Sequence, residues 1–171
     1  MALRNILTAE DGILRRACRP VTAFDARLWQ LLDDMRDTLN ASFGIGVAAP
    51  QLGILRRVVV IDMKDGSDVI ELVNPVITEA GGATCRMCES CLSLPDVWGY
   101  VDRPGLVKLK AQDRHGEWQY YTGESELAAV YLHEIDHLDG VLFTDVVTEY
   151  ITDPDKLAVI KMQVQLQGRN M

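Results

Sequence analysis

The chain has 171 residues, enough for one domain with a substantial core and too few for two of ordinary size. Hydrophobic residues make up 48% and charged residues 25%, which excludes a disordered or fibrous chain. The net charge of −8 argues against a basic face for nucleic acid, because phosphate recognition needs clustered Lys and Arg; no direct nucleic-acid binding is expected.

No stretch approaches the roughly 20 apolar residues of a membrane-spanning helix, so no membrane partner is expected. Met1 to Leu7 carries one cation and no long apolar run, which argues against a secretion signal and for the cytoplasm. Asp25 caps a predicted helix running to about Asn40, with Leu28, Leu32, Met35 and Leu39 at helical spacing. Gly44 to Gln51 is glycine-rich, too irregular for a helix and too small-chained for an ordinary strand. Val58–Asp62 and Val69–Asn74 read as buried strands around a turn at Asp65-Gly66-Ser67. Leu106–Ala111 alternates, and Gly116 marks a turn before a strand near Trp118–Tyr121.

The period then changes. Leu127, Val130, Tyr131 and Leu138 fall at helical offsets, with Glu124 and Glu126 placed in the first turn and Gly140 as the stop. A break at Thr152-Asp-Pro precedes a final helix from Pro154 to about Gln167. With no repeat or linker, residues 1–171 are expected to form a single α+β catalytic domain. Mixed or antiparallel strands would surround one central helix.

That helix carries His133-Glu134-Ile135-Asp136-His137. Residues four apart share a helix face, so both imidazoles can address one ion. Glu134 is adjacent to the first of them, placed to take a proton from a water that the ion activates. A catalytic ion usually takes three protein ligands. No histidine follows His137, and Glu149 is the only later Glu; upstream, Cys91 offers a soft thiolate and is a good candidate. His115 sits in Asp113-Arg-His-Gly116, a turn composition, and reads as a surface residue. Cys85, Cys88 and Cys91 are evenly spaced, but clusters usually want four thiolates and Cys18 is distant in sequence. Cys85 and Cys88 are therefore read as ordinary small residues, with Cys88 able to pair with Cys91 on oxidation and remove a ligand.

Three of these segments together resemble the peptide deformylase family along nearly the whole chain. Gly44-Ile-Gly-Val-Ala-Ala-Pro-Gln51 is similar to the family's first motif, Glu89-Ser-Cys-Leu-Ser93 to its second, and His133-Glu-Ile-Asp-His-Leu-Asp-Gly140 to its third. The resemblance implies hydrolysis of the N-formyl group from N-formylmethionine at the start of new polypeptides, releasing formate. It implies a metal on Cys91, His133 and His137, with Fe(2+) favoured and Zn(2+), Ni(2+) or Co(2+) also accepted. Glu134 would be the general base, while Gln51 and the Leu92 amide would donate to the oxyanion. Gly46 would pair with an extended substrate through its backbone, its missing Cβ leaving room for the approach. Ile45 would help line the methionine pocket, and Ser90 would lie along the groove. The partners implied are a formylmethionyl peptide and, through it, the ribosome.

The pattern is broken at four positions. Ser90 and Ser125 stand where the family has glycine, Leu132 where it has glutamine, and Asp102 where proline is common. None removes a ligand, the base or the oxyanion glutamine. They keep open a divergent metallohydrolase acting on another N-acyl or amide substrate, and a non-catalytic protein that keeps the metal for stability. Retention of Glu134 argues against the latter.

Overall fold

The computed structural model describes residues 3–167, so Met1, Ala2 and residues 168–171 of the expected domain lie outside the described residues. That includes the first two residues of the segment read against a secretion signal.

Strand β1 (Gly46–Ala48) pairs with β2 (Val58–Ile61), and β2 with β3 (Ile70–Cys91). β3 continues into β4 (Leu94–Gln112) through the two-residue turn Leu92-Ser93. β5 (Trp118–Glu124) and the short β6 (Glu149–Tyr150) both pair with β4. All the strand pairs are antiparallel, which narrows the mixed or antiparallel expectation.

β2 explains why the sheet is buried on both sides. Val58, Val59, Val60 and Ile61 are all fully buried, because successive side chains point to opposite faces and both faces are covered. Val58 and Val60 pack under helix α1 (Ala26–Asn40), against Leu28, Leu32, Met35 and Leu39. Val59 and Ile61 pack under helix α2 (Glu126–Leu138), against Ala128, Tyr131, Ile135 and Leu138. Helix α3 (Pro154–Gln167) follows Asp153. The cap expected for α1 is present, Asp25 accepting the Arg27 and Leu28 amides at 3.0 and 3.3 Å.

Two expectations change. Glu124 is not in the first turn of α2; it ends β5 opposite Leu106, and Ser125 enters the helix at φ 50° with no side-chain cap. The strands read over 69–74 and 106–111 are parts of a much longer β3–β4 hairpin. Bulges near Asn74, Thr78 and Gly82 break its alternation, so the period-2 signal fades while the pairing continues.

Candidate active site and metal centre

The hairpin tip and α2 meet at one place. Cys91, the last residue of β3, brings its Sγ to 3.2 Å from His137 Nε2. One turn earlier on α2 stands His133, its ring centroid 5.1 Å from that of His137. One donor atom from each of these three residues lies within 4.8 Å of the other two. Cys91 and His137 are buried, at 8% and 1% exposure. Cys91, the upstream candidate for a third ligand, is thus brought beside the two histidines.

A second layer fixes the rings. The Glu89 carboxylate accepts from His133 Nδ1 at 2.9 Å, which directs the opposite ring nitrogen to the site. Arg103 grips both oxygens of Glu89 at 2.8 and 3.1 Å and reaches Asp136 at 2.8 Å. Burial works against the Glu89 carboxylate, but hydrogen bonds from His133 and Arg103 outweigh it and hold its pKa below the usual range. Breaking one partner out of such a buried charge set costs about 3–5 kcal/mol.

These residues fit a divalent cation. Burial opposes charge on His133, yet the hydrogen bonds of Cys91 and Glu89 carry its pKa up to about 10. Burial and the His133 charge push His137 down to about 3. A thiol and two imidazoles converging in one buried triangle are the donor set of Zn, Fe, Ni and Co sites.

Glu134 lies beside this centre at 5% exposure. A Cβ on Gly46 would come within 2.5 Å of its Oε1, so the glycine makes room for the Glu134 carboxyl. This gives the missing Cβ of Gly46 a place beside Glu134, in addition to the role expected for it at a substrate backbone. Burial pushes the Glu134 carboxyl up to about 7, against the pull of the His133 charge. Its Oε2 is buried with no hydrogen-bond partner among the described residues, and so is free to meet a water.

Gln51 is buried and held at both ends. Its Oε1 accepts the Ala48 amide at 2.8 Å, while Nε2 lies 3.2 Å from Ser93 Oγ and 3.5 Å from Cys91 Sγ. Leu92 occupies the adjacent turn, its side chain covering Gly44 at 2.8 Å from where a Cβ would stand. Ile45 is half-buried against the α2 side of the sheet. Ser90 is the exception: it is exposed between buried Glu89 and Cys91, opposite Trp98, and faces away from the ligands. The same alternation puts exposed Cys88 on the face opposite buried Cys91, so the fold does not offer the Cys88–Cys91 pair for a disulfide. His115 is exposed, as expected.

The family profile described as Polypeptide deformylase matches residues 3–151. The chain belongs to that family. A peptide deformylase of Caldicellulosiruptor bescii is 52% identical over 155 residues, covering 91% of this chain and 92% of the relative. The crystal structure of the Thermotoga maritima deformylase superimposes at a TM-score of 0.83 with 35% identity, over 86% of this chain and 99% of that one. A Met-Ala-Ser-bound deformylase from Acinetobacter baumannii gives 0.81 with 31% identity, over 85% and 99%. Family membership at this identity makes the chain a metal-dependent enzyme that removes the N-formyl group from new polypeptides. It favours that reading over the other N-acyl substrate and the non-catalytic role.

Within the family frame, Glu89, Arg103, Asp136 and Ser93 are the residues that sequence reasoning left without a role. Glu89, Ser93 and Asp136 stood inside the quoted motifs, so motif membership was the available signal. Arg103 had none; only the fold brings it under the ligands.

Proposed function

We propose that Cys91, His133 and His137 hold one divalent metal, ferrous iron in the working form, and that this chain deformylates formylmethionyl peptides in the cytoplasm as they leave the ribosome. The Cys91–His133–His137 donor triangle, with buried Glu134 beside it, is the observation that carries the reading. When bound, the ion supplies Lewis-acid polarisation of the formyl carbonyl and activates water.

The chain's own residues do the rest. Glu134 takes a proton from the attacking water through its Oε2 and later passes it to the departing amine. Water oxygen bonds to the formyl carbon, the carbon–nitrogen bond breaks, and formate and a free amino terminus result. Gln51 Nε2 and the Leu92 amide donate to the oxygen that gains charge in between. Gln51 needs no reorganisation, since Ala48 and Ser93 already fix its amide.

β1 lies at the end of the sheet order, and its pairing selects which groups face outward. The Asp62 amide bonds the Ile45 carbonyl at 2.9 Å, so antiparallel alternation turns the N–H and C=O of Gly46 toward the open edge. An extended peptide can add there as a strand, with Ile45 near its methionine and Ser90 toward the outer side of the groove. The Met-Ala-Ser held by the Acinetobacter baumannii relative supports this class of substrate.

The test is formate release from formyl-Met-Ala-Ser by anaerobically prepared, iron-loaded protein, alongside metal analysis. Release by the parent is expected, with the metal lost after Cys91→Ala, His133→Ala or His137→Ala. Full metal occupancy in any of these variants refutes the ligand set.

A further inference from the structure

The open edge of β1 is reached through a loop, residues 41–45, that leaves the last residue of α1. Packing does not anchor the middle of this loop: Phe43, its large aromatic, is 63% exposed. The α1 end is tied down by Ser42, whose hydroxyl donates to the Leu39 carbonyl at 2.8 Å and accepts the Gly44 amide at 3.2 Å. The β1 end is held by the Asp62 amide, which donates to the Ile45 carbonyl at 2.9 Å.

Lys64 spans the two ends. Its ammonium donates to Asp62 Oδ2 and to Asn40 Oδ1, each at 3.0 Å, and its amide donates to Asp62 Oδ1 at 2.9 Å. The residue that grips Ile45 is thereby linked to the residue that ends α1. Side-chain exposure is 8% for Lys64 and 13% for Asp62, so this is not a solvated surface pair of the kind that contributes little. Removing the ammonium would leave a nearly buried carboxylate without its cation. The backbone gives a second, independent sign. Lys64 stands at φ 57°, in the left-handed region where glycine is at ease and a side chain is strained. Glycine would serve the turn better, so a lysine at this place points to a task for its side chain.

We infer that Lys64 is a positioning residue for the substrate: it locks residues 41–45 so that the Gly46 N–H and C=O meet an extended peptide. The inference rests on the proposed addition of the peptide to β1. The Lys64 bonds go to Asp62 and Asn40, and not to the donor triangle or Glu134. Its effect therefore falls on binding of the chain beyond methionine and not on the chemical step.

The experiment measures formate release by iron-loaded protein from formyl-Met-Ala-Ser and from formylmethionine amide, which has no following residues to pair. K64M, which keeps the stem and loses the charge, is expected to raise KM for formyl-Met-Ala-Ser about tenfold, with kcat within about twofold of the parent. On formylmethionine amide its KM should move by no more than about twofold. N40A should raise KM for the tripeptide about threefold, and K64R should restore it to within about threefold of the parent. K64G, suited to the backbone but without the ammonium, should match K64M. Hydrogen exchange gives a readout without substrate: the Asp62 amide should exchange at least about fivefold faster in K64M, with the amides of β2 unchanged. Unchanged KM in K64M, equal losses on both substrates, a fall in kcat alone, or K64G behaving as the parent overturns the assignment. So does an Asp62 amide that exchanges at the parent's rate. A parent that releases no formate, with Asp62 exchange quickened in K64M, refutes the deformylase reading and leaves the clamp standing. A parent that releases formate, with KM and exchange unmoved in K64M, refutes only the clamp.

Discussion

Replacing Gly46 by Ala tests how tightly the base is held. The added Cβ would stand 2.5 Å from Glu134 Oε1, 2.8 Å from Cδ and 3.0 Å from Cγ. Ordinary contact begins near 3.4 Å, so the carboxylate must retreat by roughly 0.9 Å. Glu134 cannot absorb this at a flexible end, because the contact runs along its whole carboxyl group and the residue is buried on α2. A misplacement of about 1 Å at a reacting group costs about a hundredfold in rate, or about 2.7 kcal/mol of barrier. Overpacking adds about 1–3 kcal/mol of instability. Gly44→Ala is the matched control: its Cβ meets Leu92 Cδ1 at 2.8 Å, the tip of a side chain that can turn away. Steady-state formate release, with metal content measured on the same samples, should show kcat collapsing in G46A and falling only a few-fold in G44A. If folded, metal-loaded G46A keeps kcat within about threefold of the parent, Gly46 does not hold Glu134 in place.

Glu134→Gln should keep the metal and lose most activity, because a carboxamide cannot take the water's proton; kcat near the parent value would remove Glu134 as the base. Only the carboxylate form of Glu134 works as a base, so activity is present above its pKa and lost as pH falls through it. Its carboxyl stands at about 7 without an ion and 4.5 ordinarily, and a bound cation favours the carboxylate. The acid limb of kcat/KM in metal-loaded protein should therefore have its midpoint inside that window, and a flat profile there would count against the assignment. Ser125→Gly should raise stability by about 1 kcal/mol and Tm by about 2–4 °C, because a serine at φ 50° with no cap bond carries strain that glycine lacks; an unchanged Tm in calorimetry would show the strain is absent. Thiol reagents should label exposed Cys88 well ahead of Cys18, which is buried with its thiol pushed up to about 11, and air oxidation should inactivate C88S and the parent at equal rates. Slower loss in C88S would revive the Cys88–Cys91 disulfide.

Periodicity served well where one face of an element meets the core. The helical spacing of Leu28, Leu32, Met35 and Leu39 found α1, and Leu127, Val130, Tyr131 and Leu138 found α2, because both helices bury one stripe against the sheet. It served poorly over residues 75–105. There the β3–β4 hairpin extends beyond the helices, its outer side chains are exposed, and bulges reset the register three times before Thr84. Pairing by backbone hydrogen bonds leaves little trace in side-chain type. The Cys91–His133–His137 triangle was legible because metal chemistry restricts candidate donors to few residue types. Arg103 was not, since its role depends on β4 lying beside β3 and under α2.

The departures from the family pattern now divide by position. Ser125 acts on the entry to α2, and Asp102 lies on the outer face of the hairpin opposite Arg86, which stacks over Tyr100 and pairs with Glu149. Leu132 is half-buried against the apolar core on the α2 side of the sheet, a setting where an aliphatic side chain is at home. Ser90 is nearest the chemistry in sequence, yet its φ is outside the left-handed region that glycine alone tolerates. A serine there needs no shift of the strand, so the Leu92 amide two residues on keeps its place. What remains of Ser90 is an exposed side chain opposite Trp98, apart from the contacts that hold Cys91, Glu134 and Gln51. The geometry of the proposed site depends instead on contacts the departures leave alone: Gly46 against Glu134, Gln51 between Ala48 and Ser93, and Glu89 between His133 and Arg103.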